Sequence, residues 1–190
     1  MQMVSGLAEL AREFELRDTE KPYVELIDGI EVPKSPTVTR HSLLQTVFGS
    51  WLLPWAEPYG IVGTEYRVYP VLKGERPTSL VPDVAFITFE RMRELSEFEG
   101  ERPPFAPDLA VEIRSPDDRD RNVARKTEIY LAYGGRLVLD VHPKRRTIVA
   151  HDRSGMRTYG AGDTFAHDEL PGFAFDVTAF FVRGDIRRVP

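Results

Sequence analysis

The chain contains no cysteine, which excludes disulfides and thiolate metal sites and favours an intracellular setting. No apolar run approaches the roughly 18 residues of a membrane span. The opening stretch "MQMVSGLAELAREFELRDTEKPY" lacks the basic start and long apolar block of a secretory signal. A cytoplasmic protein without membrane contact is expected. There is no glycine-rich phosphate loop and no G-x-S-x-G elbow, which argues against nucleoside-triphosphate and serine-based chemistry. His142, His151 and His167 do not have metal-ligand spacing. Excess positive charge is missing too. The net charge of −5 opposes coating of nucleic acid through the overall field, but it is compatible with a local basic patch around an acidic metal site.

The 190 residues fit one domain, which at this size buries about 70% of the surface its unfolded form exposes. "SGLAELAREFEL" carries Leu7, Leu10 and Phe14 near helical spacing, with Ser5 as a cap. "YVELIDGIEV" predicts a hairpin turning at Asp28-Gly29. Leu43, Leu44, Val47, Trp51 and Leu52 give a helix that should end near Pro54. Strand-like runs follow, "GIVGTEYRVYPVL" and "SLVPDVAFIT", and then a helix, "FERMRELSEF". The strand Leu109–Ile113 leads to a helix with Val123, Ile129, Tyr130 and Tyr133 on its apolar face, stopped by Gly134-Gly135. "RLVLDVH" reads as a central strand. "RTIVAHD", "GMRTYGAGDTFAH" and a packed "LPGFAFDVTAFF" segment close the chain. This order predicts an α/β (α+β) fold, a mixed β-sheet flanked by helices with hairpin additions at both ends.

Two acids lie in strands that are otherwise apolar. Asp83 heads "VAFIT" and Glu112 interrupts "LAVEI". If those strands are neighbours, the carboxylates approach each other and must bind a cation, share a proton or pair with a base. An all-oxygen site of this kind suits Mg²⁺ or Mn²⁺. Arg114 follows Glu112 by two positions and should share its strand face, where it can hold a phosphate. Lys126, on the next helix, shares a helical row with Asn122, Ile129 and Tyr130. Its stem can pack in the core while the ammonium reaches the site.

These words in this order, "ELIDG" at 25–29, His41, Pro82-Asp83, "PDLAVEIRSP" at 107–116, Lys126 with Tyr130 and "LPGF" at 170–173, resemble the Uma-two-like restriction endonucleases of the PD-(D/E)XK nuclease superfamily. The resemblance covers roughly residues 22–181, leaving 1–21 as a helical arm and 182–190 as a tail. It implies a restriction-endonuclease-like core and hydrolysis of DNA phosphodiester bonds. By the same resemblance Asp83 and Glu112 would hold the metal, Lys126 would stand for the superfamily's lysine, and Glu25 would be an auxiliary acid. His41 matches the histidine near the start of a helix and is a candidate substrate contact with Arg114. Three positions depart from the family pattern: Arg114 where an apolar residue is usual, Asn122 where an acid is common, and "LDVHP" at 139–143 in place of "VDP".

Each residue also has a plainer reading. Glu112 can be salt-bridged to Arg114 or Lys126, and Asp83 can be a turn residue after proline. Lys126 can be a solvated helix lysine, Glu25 an exposed strand residue and His41 a cap. Asp108 is read as a cap or turn, and "KRR" at 144–146 as a solvated turn. The expected function is a Mg²⁺-dependent endodeoxyribonuclease, working as a homodimer because two-fold symmetry suits two strands. The alternative is a catalytically inactive nuclease-like binding or dimerisation module.

Overall fold

The structure is a computed structural model that describes residue 14 and residues 23–34, 38–70, 76–116 and 118–188. Of the helix expected at the N-terminus, only Phe14 lies within these residues; it is helical and buried.

The chain begins with the hairpin β1 (Val24–Ile27) and β2 (Ile30–Pro33), which turns at Asp28-Gly29 with positive φ at both residues. Helix α1 (Thr39–Ala56) follows, and then β3 (Gly60–Thr64) and β4 (Val84–Thr88). Next come two short helices, α2 (Phe89–Arg93) and α3 (Glu97–Glu101), and β5 (Leu109–Ile113). Helix α4 (Asp120–Ala132) connects β5 to β6 (Leu137–His142). The chain continues through β7 (Thr147–Asp152), β8 (Gly155–Tyr159), β9 (Thr164–Ala166) and β10 (Ala174–Asp176) to α5 (Val177–Arg183).

The main sheet has the order β3-β4-β5-β6-β7-β8. Its pair β5–β6 is parallel and the others are antiparallel. A parallel pair needs a crossover, which α4 supplies. The pairs β1–β2 and β9–β10 form separate two-stranded sheets, so both expected hairpin additions are present.

Strand alternation divides the sheet into two faces. Val84, Phe86, Leu109, Val111, Leu137 and Leu139 pack with Leu44, Phe48, Leu52 and Ala56 of α1. The four α1 residues recur every fourth position, which makes one helical stripe. Phe173, Phe175 and Phe180 from the C-terminal segment surround Phe48 edge-on. On the other face, Ala110 and Val138 pack under Ile129 and Tyr130 of α4. Alternation therefore puts Glu112 (with Ala110) and Asp140 (with Val138) on the α4 side.

Three expected boundaries are corrected. Helix α1 continues through Pro54 to Ala56; Ser50, Leu53 and Pro54 are all exposed, so the proline interrupts only a solvent-facing turn. The long strand-like runs shorten to β3 and β4, and the segment between them contributes only the isolated bridges Leu26↔Ser79 and Val68↔Leu80 among the described residues. "FERMRELSEF" divides into two helices, because Ser96 and Glu99 form a capping box that starts a new one.

Candidate active site

The register of β4 on β5 pairs Val84 with Val111. One step further, Asp83 stands opposite Glu112, and the Ile113 N–H donates to Asp83 Oδ2 at 2.7 Å. Both acids line one cavity of about 720 Å³, with Glu25, Lys34, His41, Asn122 and Lys126. The hairpin supplies Glu25 and Lys34, α1 supplies His41, and α4 supplies Lys126. The side chains of Glu25, His41, Asp83, Glu112 and Lys126 are nearly closed to solvent, whereas that of Lys34 is 17% exposed and Asn122 is half-buried.

Lys126 Nζ bridges two acids, at 2.6 Å from Glu112 Oε2 and 2.9 Å from Glu25 Oε1. Tyr130 donates its hydroxyl to Glu112 Oε1 at 2.7 Å, and the Val81 N–H donates to Glu25 Oε1 at 2.8 Å. At Asp83, Lys34 Nζ donates to Oδ1 at 2.8 Å and to the Val81 carbonyl at 2.7 Å. His41 Nε2 lies 3.0 Å from Asp83 Oδ2, and Gln45 donates to the Asp83 backbone carbonyl. Facing a carboxylate, Nε2 is the ring nitrogen that carries the proton. His41 Nδ1 is then left buried, without a partner among the described residues.

The two acids experience opposite fields. Burial pushes Glu112 up to about 7, with Glu25 and Asp83 adding to the push and Lys126 opposing it. Burial also works against charge on Asp83, but Lys34 and His41 outweigh it and hold that carboxyl well below the usual range. Burial disfavours the charge on Lys126 as well, yet Glu112 and Glu25 keep its pKa above the ordinary lysine value. Burial, followed by the Glu112 charge, raises Tyr130 well above an ordinary tyrosine, so its hydroxyl remains a donor.

Comparison with known protein families matches residues 9–178 to the family described as "Putative restriction endonuclease" (Uma2). The chain belongs to that family. Among solved structures, it is similar to one described as a "putative nuclease belonging to DUF820 from Anabaena variabilis ATCC 29413". The TM-score is 0.80 at 19% identity, with 92% of this chain and 98% of that chain covered. No curated protein matches.

In this Uma2 chain the cavity gathers Asp83, Glu112, Lys126, Glu25 and His41, but Arg114 is placed elsewhere. Pairing of β5 ends at Ile113, and the Arg114 guanidinium turns to Asp140, the register partner of Glu112 on β6. It donates from Nε and Nη2 to the two Asp140 oxygens, each at 2.7 Å, and from Nη1 to Asp120. Arg114 and Asp140 line a separate, smaller cavity of about 350 Å³ with His151 and Thr127. Asp108 is also more than a turn residue. Buried, it accepts from the Thr88 N–H and pairs with Arg91.

Sequence reasoning missed three participants. Lys34 directly follows a hairpin strand that is mostly exposed, so no apolar alternation marks it. Tyr130 reads from its helical spacing as a core ring, and nothing in the sequence signals its hydroxyl as a donor to Glu112. Asp140 interrupts the apolar run "LVLDVH" as Glu112 interrupts "LAVEI", and the same rule would have singled it out.

Among the described residues, no group of three or more His, Asp or Glu is arranged to hold a metal ion. Two opposed carboxylates are nonetheless a donor set that Mg²⁺ or Mn²⁺ accepts, because such ions keep several waters. Three of the acids that line the cavity are buried, Glu25, Asp83 and Glu112, and the pKa of Glu112 is raised partly by the other two. A divalent cation fits that excess of negative charge.

Proposed function

We propose that this chain is a divalent-metal-dependent endonuclease hydrolysing DNA phosphodiester bonds, with Asp83 and Glu112 as metal ligands. The observation that carries the reading is the opposition of these two acids across β4 and β5, both facing one cavity. A divalent ion held there supplies positive charge to the scissile phosphate and acidity to an attacking water. Lys126, anchored between Glu112 and Glu25, orients the nucleophile and stabilises the charge that develops on the phosphate. Glu25 fixes Lys126 and accepts from the Val81 N–H. Tyr130 sets the rotation of the Glu112 carboxylate. His41 orients Asp83.

Arg119 and Arg121 lie at the cavity mouth, and no ion pair among the described residues engages either. We assign them to the nucleic-acid backbone, which gives salt-sensitive binding without base readout. A two-fold pair of copies would address both strands.

The test is cleavage of supercoiled plasmid with Mg²⁺ or Mn²⁺. Asp83→Asn and Glu112→Gln should each abolish it while the circular dichroism spectrum stays unchanged. Metal-dependent cleavage by either purified variant refutes the assignment. A second reading has its own support, since both acids already carry ammonium partners, as in an inactive nuclease-like module. That reading requires Mn²⁺ to leave the melting temperature unchanged, whereas a metal site raises it by mass action.

A further inference from the structure

Lys34 lies in the cavity but takes no part in the chemistry proposed above. It enters from the end of β2, and its ammonium has two oxygen partners, Asp83 Oδ1 at 2.8 Å and the Val81 carbonyl at 2.7 Å. A carboxylate and a backbone carbonyl are also the oxygen donors that hard divalent ions take. We propose that Lys34 is an exchangeable counter-ion, neutralising Asp83 in the metal-free protein and leaving it when a divalent cation enters. This rests on the reading of Asp83 and Glu112 as metal ligands.

Charge balance supplies the first argument. At the closed end of the cavity lie its three buried carboxylates (Glu25, Asp83, Glu112) and two ammonium groups (Lys34, Lys126), a formal net of −1 before His41 is counted. Adding a divalent ion gives +1 in a nearly closed space, and releasing one lysine returns the site to zero. Unbalanced charge in such a space is costly. The second argument identifies which lysine leaves. Lys126 is clamped by two carboxylates, sits on a helix packed in the core and is 8% exposed. Lys34 has one carboxylate partner, and at 17% exposed it is already closer to solvent. Its flexible four-carbon stem lets the ammonium reach water without moving the hairpin. Lys34 thereby sets the divalent-ion concentration at which the site loads.

The test is calorimetric titration of the full chain with Mn²⁺, comparing wild type, Lys34→Met, Lys34→Gln and Asp83→Asn, each checked for folding by circular dichroism. Removing a charge that competes for Asp83 should tighten Mn²⁺ binding by at least about tenfold in both Lys34 variants, and Asp83→Asn should lose it. Binding by the Lys34 variants but not by wild type would show a fixed ion pair rather than an exchangeable one and would overturn the proposal. If wild type binds and the Lys34 variants bind no tighter, the exchange is wrong while the metal reading stands. If neither binds, both are wrong. A second measurement needs no variant: amine labelling of wild type read by mass spectrometry. Labelling of Lys34 should rise severalfold with saturating Mn²⁺ while Lys126 stays protected. No change at Lys34 overturns the proposal.

Discussion

Glu112→Gln should make the metal-free protein more stable at pH 8, although it removes a residue at the centre of the proposed chemistry. Glu112 titrates near 7 rather than 4.5 because it is buried beside Glu25 and Asp83, and Lys126 only partly offsets this. The sign is the reverse of the usual carboxylate case. Between about 4.5 and 7 the folded protein holds a proton that the unfolded chain has lost, so stability falls as pH rises through that window. Each pH unit is worth about 1.4 kcal/mol, so up to ~3 kcal/mol is lost by pH 8. Glutamine keeps the shape and cannot ionise, so the variant escapes that loss. Breaking a buried ion pair ordinarily costs ~3–5 kcal/mol, because the surviving charge is left uncompensated. Here Lys126 keeps Glu25 at 2.9 Å, so the relief outweighs the cost. The assay is urea denaturation in chelator at pH 5, 6, 7 and 8, followed by the fluorescence of Trp51 and Trp55. The two proteins should converge at pH 5, and at pH 8 the variant should lead by ~2–3 kcal/mol, roughly 4–12 °C in Tm for a chain of this length. Parallel pH curves, or a variant less stable than wild type at pH 8, would refute the reasoning.

Other perturbations separate the cavity from its surroundings. Tyr130→Phe removes the hydroxyl that donates to Glu112 and should cost about 1–3 kcal/mol of stability in the same denaturation assay. Arg114→Ala leaves the buried Asp140 with, among the described residues, only His142 as a hydrogen-bond partner and should destabilise by about 3 kcal/mol. Asp140→Asn in that background should restore part of the loss, and full additivity of the two changes would mean that the pair is not coupled. Arg119→Gln and Arg121→Gln should each lower the salt dependence of DNA binding by about one unit of log–log slope, read by fluorescence anisotropy across a salt series.

The fold was legible because its information is local and periodic. Asp28-Gly29 marks the first hairpin, alternation marks β5 and β6, and Gly134-Gly135 marks the end of α4. The boundaries that were misjudged depend on surroundings. Pro54 stops a helix only where its missing hydrogen bond has no solvent to replace it. The segment after β3 has strand-forming residues, but among the described ones it pairs only through the isolated bridges Leu26↔Ser79 and Val68↔Leu80. The gathering of Asp83 and Glu112 could be anticipated because each acid contradicts the apolar strand around it. Alternation puts Arg114 on the α4 side with Glu112, as found, but its partner Asp140 belongs to a different strand, so the pairing could not be read from β5 alone. Lys34 was invisible for a related reason. Its partners, Asp83 and Val81, lie 49 and 47 residues away along the chain, and nothing in the hairpin itself records them.

The two opposed acids also differ in a way that sequence alone does not express. Asp83 receives an ammonium, an imidazole and a backbone N–H, so its charge is established before any ligand arrives. Glu112 has one lysine, which it shares with Glu25, and a tyrosine hydroxyl; near neutral pH it lies close to its own titration point. Environments that drive two neighbouring carboxyls apart are how one site acquires groups with different tasks. An incoming cation would meet a charge already formed at Asp83 and one that its own field completes at Glu112. Binding should therefore release protons, and the number released should rise as the pH falls from 8 to 6. Titrating Mn²⁺ into the protein in buffers of different ionisation enthalpy measures that number directly. A proton count that stays at zero across this range would show that Glu112 is already fully ionised, and the asymmetry argued from its burial would be wrong.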